Sequence, residues 1–451
     1  MNENDMKFDV HSDQGAGIAS AILRKLDSLT PTLTDADFPL SVNVPNSGLT
    51  AWEFLNANQE FAKVAWVDRK SSNATAGVGI AADIKIKAES DFSQSVAQCR
   101  AILKDNPHLK FYGGLSFNAS AANWDGFGTG RFILPRTTLS EDTLTLTVTS
   151  LADIEQAKLD VQQISFQPVP LDSDFPAVQS TSYTPTFDGW QSRIDEALSL
   201  IRSEVLEKIV LSRKTVLKFE DALNPIRLAS ELQTATHDCF VFCFNFKKGS
   251  AFVGATPERL FYRQGDRLES EVVAGTRMRG EDPSADEKLA IELLTSDKDQ
   301  REHDIVRKSI RQKLHKFVNH LSVDSQASIL RLAHKQHLKS NVEGTLKPGI
   351  NDGMLLKRLH PTPAVGGYPT DNALPEIARL EPFSRGWYAG PIGWIGSDSI
   401  HFAVAIRSGL INNDELSLFS GAGIVRGSEP AQEWQEVDNK IQDFINVLGQ
   451  S

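Results

Sequence analysis

Four carboxylates and a lysine in the last third of the chain stand where charge is costly. Trp434, Val437, Ile441, Phe444 and Leu448 recur at steps of three and four, which predicts an amphipathic helix docked on a core. Glu433, Glu436 and Lys440 border that apolar stripe, close to the seam between helix and core, where a charge needs a partner. Glu302 stands three and four residues before Ile305 and Val306, on a stripe continued by Ile310, Leu314 and Phe317/Val318, with Asp299 one turn earlier. Two such carboxylates, Glu302 and Glu436, suit Mg²⁺, a hard cation that takes oxygen ligands and keeps waters for a substrate to replace. The plainer alternative is that each pairs with a nearby lysine or arginine, as Glu436 and Lys440 can at i,i+4. Both readings stay open at this point.

The elements that must position these groups lie mostly after residue 180. A helix is expected over 190–206, feeding a strand at 208–213 that begins on Lys208, and a further helix over 225–234 leads to a buried strand at 239–246. A hairpin-rich stretch at 251–278 precedes one long charged helix over 286–318. Before it, residues 1–180 read as strand-rich and chemically quiet, with strands at 61–66, 77–80 and 144–148 and a helix at 91–104. The glycine-rich run 126–130 leads into a strand ended by Pro135, so it is a turn and not a phosphate loop. Residues 168–185, rich in proline, serine and threonine, read as a connector. Helices and strands mix without strict βαβ alternation, so the expected fold class is α/β (α+β), a large layered sandwich with mostly antiparallel sheets. The expected organisation is 1–180 as a strand-rich region packed as one unit with 181–451.

Composition narrows the function classes. The 451 residues can bury a large core, and the formal net charge of −11 argues against nucleic acid or an anionic membrane as the main partner. Cys99, Cys239 and Cys243 have neither disulfide nor zinc spacing and read as small core residues. No segment is long and apolar enough to span a membrane, and residues 1–28 carry no apolar signal core, so a cytoplasmic location is expected.

Nine short motifs in order then carry a family resemblance. They are Lys208-Ile-Val-Leu-Ser-Arg213, Thr256-Pro-Glu-Arg259, Val273-Ala-Gly-Thr276, Lys298-Asp-Gln-Arg-Glu-His303 and Leu359-His-Pro-Thr-Pro-Ala364. Glu381-Pro-Phe383, Ala405-Ile-Arg407, Gly421-Ala-Gly-Ile424 and Glu433-Trp-Gln-Glu436 complete the set. Over residues 190 to the end the chain resembles the chorismate-utilising enzymes. That resemblance implies Lys208 as general base on a water and Glu258 as general acid on the departing C4 hydroxyl. It implies Mg²⁺ held by Glu302 and Glu436, with Glu433 and Asp299 as water-bridged helpers. Arg407, Lys440 and the amides around Gly421 and Gly423 would take the pyruvyl carboxylate of chorismate, with Thr276 and Tyr388 as further substrate contacts. His360 either touches substrate or packs in a proline-bounded turn. Ala274 replaces the nucleophilic lysine of amine-forming relatives, so water is the implied nucleophile and isochorismate the implied product, most like the menaquinone-pathway type. The alternatives are the siderophore-pathway type and a salicylate synthase, which goes on to eliminate pyruvate. No glutamine amidotransferase partner is implied, and a monomer or weak dimer is expected.

Overall fold

A computed structural model of the chain describes residues 10–46, 48–88, 91–104, 106–118 and 124–449. Its strands form a 12-stranded and a 10-stranded sheet, and every strand pairing among the described residues is antiparallel. The layered, mostly antiparallel architecture expected from the sequence is the one observed. Strands from 40–148 are hydrogen-bonded into both sheets: Lys63–Val67 pairs with Phe240–Lys247 in the first, and Phe111–Leu115 with Pro391–Ile395 in the second.

The Phe240–Lys247 strand explains why both faces of the first sheet are covered. Phe240, Phe242, Phe244 and Phe246 alternate into a core shared with Phe402 and Trp394 of the second sheet. Val241 and Cys243 point the other way, into a core closed by the Pro225–Ala235 helix through Ile226, Ala229 and Leu232. A strand buried on both faces reads as a nearly continuous apolar run, and here only Asn245 interrupts residues 240–246. All three cysteines are free and buried.

Two strands, one from each sheet, set the stage for the charged groups. Lys208–Phe219 pairs with Glu415–Ile424, placing Val210 opposite Gly423 and Ser212 opposite Gly421. By alternation Lys208, Val210 and Ser212 share one face. In the second sheet Arg267–Met278 pairs with Lys335–Leu346; the register shifts at Gly275, whose φ is +75°, and this brings Thr276 opposite His337. The Pro430–Val447 helix packs on Glu415–Ile424, and the Asp297–Leu314 helix packs on Arg267–Met278. Each carboxylate-bearing helix thus rests on a strand of a different sheet.

Three expectations need correction. The single helix over 286–318 is two, Pro283–Thr295 and Asp297–Leu314, and Val318 already belongs to the Val318–Val323 strand. Ser296 breaks it: extended at φ −71° and ψ 115°, it accepts the Asp299 N–H on its side chain and starts a new helix. The connector at 168–185 contains an edge strand, Val178–Thr184, paired with Lys208–Phe219. Its residues 179–183 are exposed on both faces, so no apolar period marks it. The helix expected over 190–206 spans Phe187–Arg202, leaving Val205 beyond its end and exposed.

Candidate active site

A narrow cavity of about 80 Å³ lies where the two sheets meet. Val210, Phe419, Ser420 and Gly421 line it from the first sheet, and Val273, Ala274, Thr276 and His337 from the second. Glu258, Tyr388 and Arg407 enter from loops, Glu302 and Glu436 with Lys440 from the two helices. Larger cavities, of about 880, 590, 400 and 340 Å³, lie elsewhere, but none of them is lined by Glu258, Glu302, Arg407, Glu436 or Lys440.

Lys208 is fully buried at the start of its strand, and its Nζ donates to Glu302 Oε1 at 2.8 Å. Gly423 leaves the room: a Cβ there would come within 2.6 Å of Glu302 Oε1 and 2.9 Å of Lys208 Cε. Burial tends to raise the Glu302 carboxyl, but Lys208, with Lys440 and Lys298, outweighs it and holds the group below the usual range. Glu258 is the opposite case. Burial, followed by the neighbouring Glu271 carboxylate, pushes it up to about 8 against the pull of Lys208, Arg69 and Lys440. At neutral pH one carboxyl of this cavity is therefore an anion and another holds its proton.

Arg407 sits at φ +49°, a left-handed conformation uncommon for a side-chain-bearing residue. Its guanidinium donates to His337 Nε2 and stands 3.7 Å from Asp443 Oδ2. Because Nε2 accepts, the imidazole proton lies on Nδ1, which faces the Gly275 carbonyl at 3.0 Å. Burial and then the Arg407 charge hold His337 well below its ordinary pKa, so it stays neutral and can accept. Lys440 donates to the Gly421 carbonyl at 2.8 Å and to Glu436 Oε1 at 2.7 Å. Burial works against its charge, yet Glu436 and Glu302 hold its pKa above normal. Tyr388 stacks on Phe419 at 5.4 Å, and its hydroxyl approaches the spot a Cβ of Gly421 would fill.

The lysine pairs are present: Lys208–Glu302, Lys440–Glu436 and Lys298–Glu433, the last at 2.9 Å. Among the described residues no three acidic, histidine or cysteine groups gather as a ready-made metal cage. Near these pairs, Glu433 Oε2 is buried without a hydrogen bond, and so is Asp299 Oδ2, although an ion pair with Arg277 Nη2 at 3.1 Å partly offsets its charge. Burial, then like charge from Glu302 and Glu436 respectively, raises both carboxyls. Mutually repelling carboxylate oxygens on two facing helices are a donor set that fits Mg²⁺, which needs only one or two protein carboxylates and completes its shell with water.

A protein-family model described as chorismate binding enzyme matches residues 33–449. The chain belongs to the chorismate-binding enzyme family. Among its relatives, the chloroplastic isochorismate synthase of Catharanthus roseus is 32% identical over 84% of this chain and 69% of its own length. The isochorismate synthase MenF of Escherichia coli is 31% identical over 93% of this chain and 94% of its own. The solved structure of MenF, the menaquinone-specific isochorismate synthase of Escherichia coli, superposes with a TM-score of 0.84 at 29% identity, covering 95% of this chain and all (100%) of that one.

Within this chorismate-binding fold, Glu258, Thr276, Glu302, Tyr388, Arg407, Gly421, Glu436 and Lys440 line one cavity, with Lys208 and Gly423 directly behind it. Glu433 and Asp299 stand back from the wall. His360 is not brought there: its Nε2 meets the Phe117 carbonyl at 3.2 Å, its ring meets Phe117 edge-on, and it lines the 590 Å³ cavity instead. Gly421 lines the cavity and offers its carbonyl to Lys440. His337 escaped the sequence reading, because nothing in Lys335-Gln-His337 announces that its register partner is Thr276. The Glu381-Pro-Phe motif is a clamp. Glu381 accepts the Ser212 N–H at 2.8 Å and pairs with Arg385, which donates to the Val210 carbonyl at 2.9 Å and the Val365 carbonyl at 2.7 Å.

Proposed function

We propose that this protein is a Mg²⁺-dependent isochorismate synthase of the menaquinone type, isomerising chorismate to isochorismate. The observation that carries the reading is one cavity holding a protonated carboxyl, Glu258, in front of a buried lysine, Lys208, with Arg407 and Lys440 on its wall. The identity to isochorismate synthases over most of both chains supports it.

Arg407, aimed by His337 and Asp443, offers a planar fork to the pyruvyl carboxylate, and Lys440 adds a point charge. Lys208 takes a proton from the water that bonds to C2. Glu258 delivers its proton to the C4 oxygen as that bond breaks and the ring double bond shifts. One water enters and one leaves, so the product is an isomer. Glu302 and Glu436 would hold Mg²⁺, which when bound supplies positive charge for the ring carboxylate. Space is tight: a ring bearing two carboxylates needs the Lys208–Glu302 and Lys440–Glu436 pairs to open, exchanging internal partners for substrate.

The test is a product assay on purified protein with chorismate and Mg²⁺, resolving isochorismate, salicylate and pyruvate. Isochorismate accumulating without pyruvate is expected. Salicylate with equimolar pyruvate would overturn the assignment in favour of a salicylate synthase, and no turnover would mean a binding fold without this chemistry.

A further inference from the structure

The stretch of chain that reads as chemically quiet places one side chain behind Glu258. Arg69 lies in the turn after the Lys63–Val67 strand, with its side chain 9% exposed. Its Nη1 donates to Glu271 Oε2 at 3.0 Å, and its Nη2 donates both to Glu271 Oε1 and to the Pro257 carbonyl. Glu271, buried on Arg267–Met278, accepts the Arg259 backbone N–H on Oε1 at 2.6 Å and meets Lys339 Nζ at 3.1 Å.

The pair therefore grips the carbonyl of the residue before Glu258 and the amide of the residue after it. Glu258's own backbone is tied as well, its N–H to Thr256 Oγ1 at 3.3 Å and its carbonyl to the Val404 N–H at 3.0 Å. Its carboxyl has no hydrogen bond among the described residues, so its aim is set by the tied backbone and the packing around the buried side chain. The plain alternative is a tie between the two sheets, since Arg69 extends from the first and Glu271 sits in the second. A tie of that kind has no need of bonds to the peptides on both sides of Glu258. We propose that Arg69 and Glu271 are positioning residues that hold Glu258 in line with the bond it protonates; this rests on the reading of Glu258 as the proton donor.

The charges around Glu258 agree with that arrangement. Burial and Glu271 oppose its anion, while Lys208, Arg69 and Lys440 favour it; Glu302, Glu436 and Arg407 share the cavity wall. Arg69 bridges both oxygens of Glu271, and Lys339 adds a second cation at Oε2.

The experiment is a double-mutant cycle in the chorismate assay. Arg69→Ala should lower kcat about 30-fold and leave KM within about threefold, because misplacing a reacting group by an ångström costs rate and not binding. In a Glu258→Asp background, where the acid is already displaced, the same change should cost about threefold or less. Arg69→Lys keeps the ion pair but cannot reach Glu271 and Pro257 together; it should lose about tenfold with an unchanged melting temperature. That variant keeps the test decisive if Arg69→Ala does not fold. Full multiplicative losses in the Asp background, a rise in KM with kcat intact, or full activity in Arg69→Lys would overturn the proposal. Inactive wild-type protein in the same assay would count against the isochorismate synthase reading instead.

Discussion

Lys208 Nζ lies 2.8 Å from Glu302 Oε1, across 94 residues of chain and between a strand of one sheet and a helix resting on the other. As a base Lys208 must present a lone pair to water, so this contact has to open along the reaction path. Replacing Lys208 by alanine should reduce kcat by about 10²–10⁴-fold. Lys208→Arg separates base from ion-pair partner: it keeps a cation beside Glu302 but has no usable lone pair, and should be as inactive as the alanine variant while melting like wild type. Turnover by Lys208→Arg would show that the residue is only a structural cation.

Gly423 gives a second view of the same contact. A methyl group there meets Glu302 Oε1 and Lys208 Cε at distances real Cβ atoms do not adopt. Gly423→Ala should force the two side chains apart, lowering kcat by about 10²-fold while the far-ultraviolet circular dichroism stays unchanged. Wild-type kinetics in this variant would mean that the Lys208 and Glu302 positions are not those of the reacting enzyme.

Glu258 links rate and stability through one proton. Its carboxyl is raised from 4.5 to about 8, so it is a competent acid below that pH, and the rate should fall as pH rises through about 8. The sign for stability is the same. Between about 4.5 and 8 the folded protein binds a proton that the unfolded chain has lost, so stability decreases as pH rises through that window. Glu258→Gln removes the titration. It should abolish turnover yet raise stability above pH 7 by on the order of 2 kcal/mol, read as a higher melting temperature. A variant less stable than wild type at pH 8 would show that the carboxyl is not held neutral.

Arg407 and His337 make a prediction about substrate affinity. Arg407→Lys keeps the charge but loses the planar fork and the aim given by His337. It should raise KM for chorismate about 10–100-fold, more than it lowers kcat. His337→Ala should follow in the same direction with a smaller rise, since it removes the acceptor and leaves the guanidinium in place. Unchanged KM in both variants would place the carboxylate elsewhere.

Metal removal tests the acidic helices. Chelation by EDTA should stop turnover, and added Mg²⁺ should restore it. Glu436→Gln should raise the Mg²⁺ concentration needed by more than about tenfold. Activity indifferent to EDTA would leave Glu302 and Glu436 as lysine partners alone, the role their ion pairs already show.

Residue types, spacing and motifs marked Lys208, Glu258, Glu302, Arg407, Glu436 and Lys440, but not His337 or Arg69. Helical spacing put Glu302, Glu433 and Glu436 beside apolar stripes, and alternation put Phe240 to Phe246 in a buried strand. The ordered motifs pointed to the family whose model matches the chain. Periodicity reports the face of a side chain and says nothing about the partner across from it. His337 meets Thr276 only because a bulge at Gly275 sets the register of strands some 60 residues apart. Arg69 reaches the peptides around Glu258 only because an N-terminal strand is hydrogen-bonded beside Phe240–Lys247. His360, in a motif like the others, is turned toward Phe117 by the packing of its loop. Ser296, read as one more residue in a helix, is extended and caps the Asp297–Leu314 helix, which packs on a strand of the second sheet. Those outcomes depend on sheet register and long-range packing, which place residues from distant parts of the chain within hydrogen-bonding distance, and only the tertiary structure decides them.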